Sequence, residues 1–193
     1  MTTLADDLRL ALDIADRVDA LTMVRFGASD LVVEEKPDLT PVSDADKAAE
    51  KLIRDALAAA RPDDTIYGEG QGGKLEHTGR RWILDPIDGT KNFVRAVPVW
   101  ATLIALEVDG ALVACVVSAP ALARRWCAAE ALGAFLSIND AAPGALRVSA
   151  VSEIANASIS SSELSEWQYT GRLDSYVKLA TSCWRSRDSG DFW

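Results

Sequence analysis

The sequence is poor in the residues that build soft-metal sites and disulfide frameworks. Its 193 residues include one histidine and three cysteines, and Cys115, Cys127 and Cys183 are far apart and not in CxxC spacing. A zinc site made of several histidines, or a relay of histidines, is therefore excluded. The odd number and wide spacing of the cysteines favour small buried side chains in a reducing compartment.

Long apolar runs and an excess of positive charge are also absent. No stretch approaches the roughly 18 consecutive apolar residues of a membrane span, and residues 1–20 carry acids where a signal peptide needs a basic region. With 29 Asp+Glu against 20 Lys+Arg, the net charge of -9 argues against binding nucleic acid or an anionic membrane surface. We therefore expect a cytoplasmic protein with neither kind of partner.

The apolar residues recur first at helical spacing and then in short β-rich runs. The pattern predicts one helix over about residues 3–26 and a second that begins at Ser43 or Asp44 and ends at 61–64. Asp109-Gly110 predicts a hairpin turn within an antiparallel sheet. The predicted strands of this part are residues 31–33, 65–67, 82–84, 100–108, 111–118, 124–129 and 133–136.

The pattern changes after Ser149. The pattern here predicts a strand over 158–162, a helix over 165–180 and a strand over 183–187. This order of elements is typical of the start of a second α/β half. We therefore divide the chain into an N-terminal α+β half, residues 1–149, and the incomplete beginning of a C-terminal half, residues 150–193. The N-terminal half carries the antiparallel sheet and the candidate metal and phosphate loop.

Carboxylates follow two of the predicted strands. The strand predicted over 82–84 ends at Asp85, the next residue, and Asp88 follows three residues later. Glu69 lies in the glycine-rich loop 68–73. An isolated Asp-x-x-Asp-Gly is usually only a polar turn. Three convergent carboxylates, however, cannot all stay ionised without a cation, and an oxygen-only ligand set selects Mg²⁺ or Mn²⁺. With the backbone N–H groups of Gly89 and Thr90 as phosphate donors, the pattern predicts phosphoryl chemistry with a metal-activated water.

A longer string carries a family resemblance. Residues 82–93, WILDPIDGTKNF, resemble the signature of the inositol-monophosphatase superfamily, and residues 38–44, DLTPVSD, and Gly68-Glu69 resemble two further motifs in the same order. The resemblance implies an α+β fold, a layered αβαβα sandwich whose N-terminal half is complete and whose C-terminal half is partial. It also implies two or three Mg²⁺ ions, with Mn²⁺ as a substitute, a small phosphomonoester substrate and a homodimer as candidate assembly.

The resemblance also assigns roles to individual residues. Thr90, helped by Glu69, would orient the attacking water, and Asp44 would act through water on a further metal ion. The implied metal ligands are Glu69, Asp85, Asp88 and the carbonyl of Ile87, and the implied phosphate contacts are Asp88, Gly89 and Thr90.

Two features depart from the family pattern. Gly70 replaces the usual second glutamate of the metal loop, from which we expect a modest effect on metal affinity. The Trp-Asp motif that completes the family's metal site does not occur by Trp193. We therefore expect that the sequence is cut short and that this chain by itself shows little or no turnover.

Within the superfamily, three features are most similar to histidinol-phosphate phosphatases: Lys91, residues 97–103 and residues 184–193. Asp191 would then offer a carboxylate to the ammonium or imidazole of histidinol phosphate, and Arg187 would meet the phosphate or hold Asp191. Asp191 as a helix N-cap and Arg187 as a surface ion-pair residue remain alternatives.

Two other functions stay open at this point. One is the same chemistry on inositol 1-phosphate or a related sugar or nucleotide phosphate. The other is a non-catalytic fragment that binds metal or phosphate.

Overall fold

The computed structural model describes residues 3–36, 40–68, 78–161, 164–188 and 192. The chain forms two compact units, one of residues 1–146 with 192–193 and the other of residues 147–191. The described residues contain no helix that is long and apolar enough to cross a bilayer.

Both predicted N-terminal helices are confirmed. Helix α1 spans Leu4–Arg25 and α2 spans Asp44–Ala60, and each begins with a capping box, after Thr3 and Ser43 respectively. In such a box the hydroxyl accepts from the third helical N–H while the acid at that position bonds back to the cap. The apolar side chains that each helix buries recur at helical spacing and are Ala11, Ile14, Ala15 and Val18 on α1, and Ala45, Ala49, Ile53 and Leu57 on α2.

A seven-stranded mixed sheet forms the centre of the first unit. A separate antiparallel pair, β1 (Val33–Glu35) and β2 (Pro41–Ser43), precedes it. Strands β3 and β4 are parallel and all later neighbours are antiparallel, in simple chain order. The strands are β3 Thr65–Gly68, β4 Arg80–Asp88, β5 Ala101–Val108, β6 Ala111–Ala119, β7 Arg124–Ala129, β8 Gly133–Ile138 and β9 Gly144–Ala145.

The main core lies between α1, α2 and one face of this sheet. Alternate residues of β4 and β5 point toward the helices, as the two-residue period of a strand requires. Trp82 is the largest of them; it is fully buried, and its indole N–H donates to Asp64 Oδ2 at 2.8 Å. The other strand residues of this core include Leu84, Ile104, Leu106 and Val116.

A buried carboxylate joins the start of α1 to the end of α2. Asp7 is fully buried, and its oxygens lie 2.8 Å from Arg61 Nε and 3.0 Å from Arg80 Nη2. Arg80 also pairs with Asp64 at 2.9 Å. Because a buried charge is costly unless it is paired, these ion pairs constrain where both helices meet β4.

The structure corrects two strand predictions in this unit. Strand β4 does not end at Asp85 but continues to Asp88, because pairing with β5 resumes after an irregularity. Strand β1 begins at Val33 rather than at Leu31, where the predicted strand starts. The antiparallel run from β5 to β8 and its Asp109-Gly110 turn are confirmed, and both turn residues have positive φ, 50° and 84°.

The second unit is a strand, two helices and a parallel strand. Strand β10 (Ser158–Ser160) pairs with β11 (Arg185–Arg187), and α4 (Leu164–Tyr169) and α5 (Leu173–Ser182) lie between them in the chain. The single helix predicted over 165–180 is therefore wrong. Gly171 has a φ of 69°, a left-handed conformation that ends a helix.

Candidate active site

The predicted metal ligands Asp85 and Asp88 lie at an irregularity of β4. Asp85 pairs with Leu103 and Asp88 pairs with Ala101, so three steps along β4 match two steps along β5. The extra residue is a β-bulge. Without it, residues three apart would point to opposite faces of the sheet; with it, Asp85 and Asp88 share one face.

A buried threonine on the neighbouring strand holds the bulge. The Thr102 hydroxyl donates to the carbonyl of Pro86 at 2.8 Å, and Thr102 is fully buried. This bond satisfies a carbonyl that the bulge takes out of the regular ladder, where an unpaired buried carbonyl would be costly. Sequence reasoning missed Thr102 because its role depends on which strand pairs with β4.

Gly89 turns the chain from the bulge into a short helix. Its φ is 83°, in the left-handed region that glycine adopts without strain. Helix α3 (Thr90–Phe93) follows as a single turn, and its last residue, Phe93, donates its N–H to the Gly89 carbonyl at 3.0 Å. The predicted phosphate contacts Gly89 and Thr90 therefore lie directly after the two carboxylates.

The hydroxyl of Thr90 lies between two acceptors. Its Oγ1 is 2.9 Å from the carbonyl oxygen of Ile87 and 3.3 Å from Asp46 Oδ1. Ile87 is the predicted carbonyl ligand, and its side chain is buried. The contact with Asp46 joins the start of α2 to the start of α3, and the two residues are 44 positions apart in sequence.

Asp46 is the residue of this site that sequence reasoning missed. Its other oxygen, Oδ2, accepts from the Ser43 N–H at 2.7 Å and from the Ser43 hydroxyl. Burial raises the pKa of Asp46 above its ordinary value, against the hydrogen bonds from Ser43 and Thr90, which lower it. The Ser-x-x-Asp spacing of the capping box was the signal in the sequence that could have pointed to it.

Asp44, the acid that the sequence analysis preferred, has a different neighbour. Its Oδ2 lies 2.8 Å from Arg25 Nη2, and Arg25 also pairs with Asp30 at 2.9 Å. The end of α1 thus supplies a positive charge to Asp44, while Asp46 contacts Thr90. A role for Asp44 through water and a further metal ion stays a prediction.

An aromatic cluster fixes α3 against α1. The rings of Phe93 and Trp100 meet edge to face with centroids 4.9 Å apart, and Phe26 lies 5.6 Å from the Phe93 ring. Ile87 and Ala45 belong to the same buried cluster. Since Ala45 adjoins Asp46 and Phe93 ends the helix of Thr90, this packing positions the two polar side chains against each other.

A cleft of about 660 Å³ opens beside α3. Its wall combines the β1–β2 pair with the exposed side of α3, and charges of both signs line it, among them Glu35, Lys91 and Arg95. This volume is within the range of small-molecule sites.

Several predicted site residues are not placed by these contacts. Glu69, Gly70 and Asp191 lie outside the described residues. Arg187 is an exposed residue of β11 in the second unit, where its Nη1 donates to the Ser186 carbonyl at 2.7 Å. The described ranges contain no cluster of three or more His, Cys, Asp or Glu side chains. The roles predicted for these four residues stay predictions.

Residues 4–184 match the Inositol monophosphatase family. The chain belongs to this family. It is therefore a phosphoric monoester hydrolase, a class of enzyme that acts on small phosphorylated substrates, and metal dependence is a property of the family.

Two relatives and one solved structure agree with this membership. The chain is 56% identical over 187 residues to a histidinol-phosphatase of Mycobacterium tuberculosis and 55% identical over 193 residues to one of Streptomyces coelicolor. Each match covers 97% of this chain and 72% of the relative. The crystal structure of extragenic suppressor protein suhB from Bartonella henselae matches with a TM-score of 0.81 and 29% identity, over 94% of this chain and 69% of that one. The predicted α+β fold of an inositol monophosphatase is confirmed.

Proposed function

We propose that this inositol monophosphatase family member is a Mg²⁺-dependent histidinol-phosphatase, which hydrolyses histidinol phosphate to histidinol and phosphate. One observation carries the chemistry. The Thr90 hydroxyl contacts Asp46, directly after a bulge that puts Asp85 and Asp88 on one face of the sheet. A carboxylate pair beside a hydroxyl that is held by a third carboxylate suits attack of water on a phosphate ester.

The donors at this end of β4 fit a magnesium ion. Asp85, Asp88 and the Ile87 carbonyl offer oxygen atoms, which Mg²⁺ prefers over nitrogen and sulfur. We propose these three groups, with Glu69, as the ligands. When bound, Mg²⁺ supplies positive charge to the phosphate oxygens and lowers the pKa of a coordinated water.

Thr90 and Asp46 orient the attacking water in this proposal. When the Thr90 hydroxyl donates to Asp46, its lone pairs are left to accept a hydrogen bond from the water. Asp46 itself is fixed by two bonds from Ser43, so its Oδ1 stays available to the hydroxyl, whose other acceptor is the Ile87 carbonyl at 2.9 Å. The water attacks phosphorus in line with the leaving oxygen and gives up a proton toward the Thr90–Asp46 pair. The P–O bond to the alcohol breaks, and the leaving oxygen takes a proton from solvent water to give histidinol.

The choice of alcohol rests on the relatives. Both relatives are histidinol-phosphatases, and they match nearly the whole chain at 55% identity or better. We propose that Asp191 binds the ammonium or imidazole of the substrate and that Arg187 supports the phosphate or Asp191. Asp191→Asn should then weaken histidinol phosphate far more than inositol 1-phosphate.

A substrate panel tests the proposal. Because we expect little or no turnover from this chain by itself, phosphate release is measured in a single turnover, with protein in excess over substrate, with Mg²⁺ and with EDTA, on histidinol phosphate and inositol 1-phosphate. We expect Mg²⁺-dependent release that is faster from histidinol phosphate. Equal or faster release from inositol 1-phosphate would favour the sugar-phosphatase alternative, and release that EDTA does not affect would contradict the metal-dependent mechanism.

A further inference from the structure

One polar residue of the string 82–93 has no role in the proposed chemistry. Asn92 lies in α3, two residues after Thr90, and it is half-buried. Its side-chain amide donates from Nδ2 to the carbonyl of Val99 at 2.8 Å. Val99 belongs to the segment that leads from α3 into β5, so this bond joins two elements of the site.

The bond closes a ring around the turn that carries Thr90. The chain runs from Asp88 through Thr90 to Asn92. There the side-chain bond crosses to Val99, and the chain continues to Ala101. Ala101 pairs with Asp88 between β4 and β5, which completes the ring. The turn is therefore tied to the sheet on both of its sides.

The main chain of Asn92 holds the rest of this segment together. Its N–H donates to the Gly89 carbonyl at 2.9 Å, and its carbonyl accepts from the N–H groups of Arg95 and Val97, each at 3.0 Å. Because these bonds make residues 89–97 one compact loop, the side-chain bond to Val99 sets the direction of α3 relative to β5.

An amide side chain is needed for this bond. The Val99 carbonyl directly precedes Trp100, which is fully buried, and a carbonyl in such a place is costly when it has no donor. Aspartate has the shape of asparagine but no N–H, so its carboxylate would turn an acceptor toward the Val99 carbonyl.

We propose that Asn92 is a positioning residue for the hydrolysis: its amide holds α3 against β5 so that the Thr90 hydroxyl stays at Asp46. This rests on the proposed function, in which Thr90 and Asp46 orient the attacking water. The Thr90–Asp46 contact of 3.3 Å is longer than the about 2.5–3.0 Å of most hydroxyl hydrogen bonds, so a small rotation of α3 breaks it. A misplacement of about 1 Å can cost about 100-fold in rate.

Asn92→Asp and Asn92→Ala test the role on single-turnover phosphate release with Mg²⁺ and protein in excess. Both remove the donor to Val99; the first keeps the shape, and the second adds no charge. We expect each to lower the rate constant at saturating protein by about tenfold or more. The protein concentration that gives half of this rate should change by less than about threefold, because Asn92 acts on the reacting groups and not on substrate binding.

Two control variants should keep the rate of the wild type. Asn156→Asp makes the same chemical change at an exposed residue of the second unit. Thr22→Val removes a buried hydroxyl bond within α1 and reports the effect of a general loss of stability.

Amide hydrogen exchange followed by NMR gives a readout that needs no turnover. The Phe93 N–H bonds to the Gly89 carbonyl at 3.0 Å in α3, and the Arg61 N–H bonds to the Leu57 carbonyl at 2.7 Å at the end of α2. We expect both Asn92 variants to speed the exchange of the Phe93 amide about tenfold and to leave that of Arg61 unchanged, since the opening is local.

Unchanged exchange at Phe93 overturns a positioning role for Asn92, and so does a normal rate of release in either Asn92 variant. An equal loss of rate in Thr22→Val overturns it as well, because the effect is then one of general stability. If the wild type releases no phosphate with Mg²⁺, the proposed function fails, and the hold of Asn92 on α3 is decided by the exchange of Phe93.

Discussion

At the scale of single residues, the acid that contacts Thr90 matters most. Two aspartates lie one residue apart at the start of α2, and the chain gives them different neighbours. Asp44 pairs with Arg25 at 2.8 Å, while Asp46 lies 3.3 Å from Thr90 Oγ1. Because a helix turns about 100° per residue, two such acids cannot serve the same group.

Replacing these acids separately distinguishes their roles. Asp46→Asn should lower the Mg²⁺-dependent rate of phosphate release by about 100-fold or more. It removes the negative charge, and since the two Ser43 donors hold the amide oxygen, the amide NH2 group faces the Thr90 hydroxyl in place of an acceptor. Asp44→Asn should lower it much less, because the asparagine loses an ion pair with Arg25 rather than the contact with Thr90. Single-turnover phosphate release measures both. A larger loss in Asp44→Asn would contradict this and support the role predicted for Asp44 from the sequence.

The buried ion pairs of Asp7 should contribute measurably to the free energy of unfolding. Asp7→Asn leaves Arg61 and Arg80 facing a neutral side chain in a buried place, which should lower the free energy of unfolding by about 3 kcal/mol. Asp55→Asn removes an exposed pair with Lys51 and should cost less than about 1 kcal/mol. Chemical denaturation of the two variants provides the comparison. Similar small losses in both would show that the buried pairs contribute little.

At the scale of elements, the bulge of β4 depends on its neighbour β5. Thr102→Val keeps the shape of the side chain and removes the bond to the Pro86 carbonyl. We expect the rate of phosphate release to fall about tenfold as Asp85 and Asp88 lose their fixed positions, with a stability loss of about 1–2 kcal/mol.

Thr22→Val is the matched control for this change. Thr22 is also fully buried, and its hydroxyl bonds to the Val18 carbonyl of its own helix at 2.8 Å. A similar loss of stability without a loss of rate is expected. If both variants lose the same fraction of the rate, the effect of Thr102 is general destabilisation rather than support of the bulge.

Elements that depend on local signals could be predicted from the sequence, and those that depend on a partner could not. The helical spacing of apolar residues in α1, the N-cap at Ser43 and the Asp109-Gly110 turn act within a few residues, so they predicted both helices and the β5–β6 hairpin. The bulge needs the register of β5. The contact of Asp46 with Thr90 needs α2 packed against the end of β4, so the sequence did not predict it, and the role predicted for Asp44 stays a prediction.

At the scale of the whole molecule, Asp19 links stability to pH. Burial raises its pKa above the ordinary value, more than the hydrogen bonds from Ser118 and Arg125 lower it, and the nearby Asp16 raises it further. A carboxyl group with a raised folded-state pKa stabilises the fold below its unfolded pKa, and this contribution is lost as the pH rises through the folded pKa.

Asp19→Asn should remove this dependence. Relative to the variant, the wild type should gain unfolding free energy as the pH falls from about 7 to about 4. Urea unfolding at a series of pH values measures the difference, in which the titration of all other groups cancels. A difference that stays constant, or that shrinks toward low pH, would contradict the raised pKa.

The central claim is that Thr90 and Asp46 act as one unit beside the carboxylates of β4. A double-mutant cycle of Thr90→Val, Asp46→Asn and both together, on Mg²⁺-dependent phosphate release from histidinol phosphate, tests it most directly. Residues that act as a unit show strongly non-additive losses. We expect the double variant to be about as slow as the slower single variant. Losses that multiply in the double variant would show that the two side chains act independently and would contradict it.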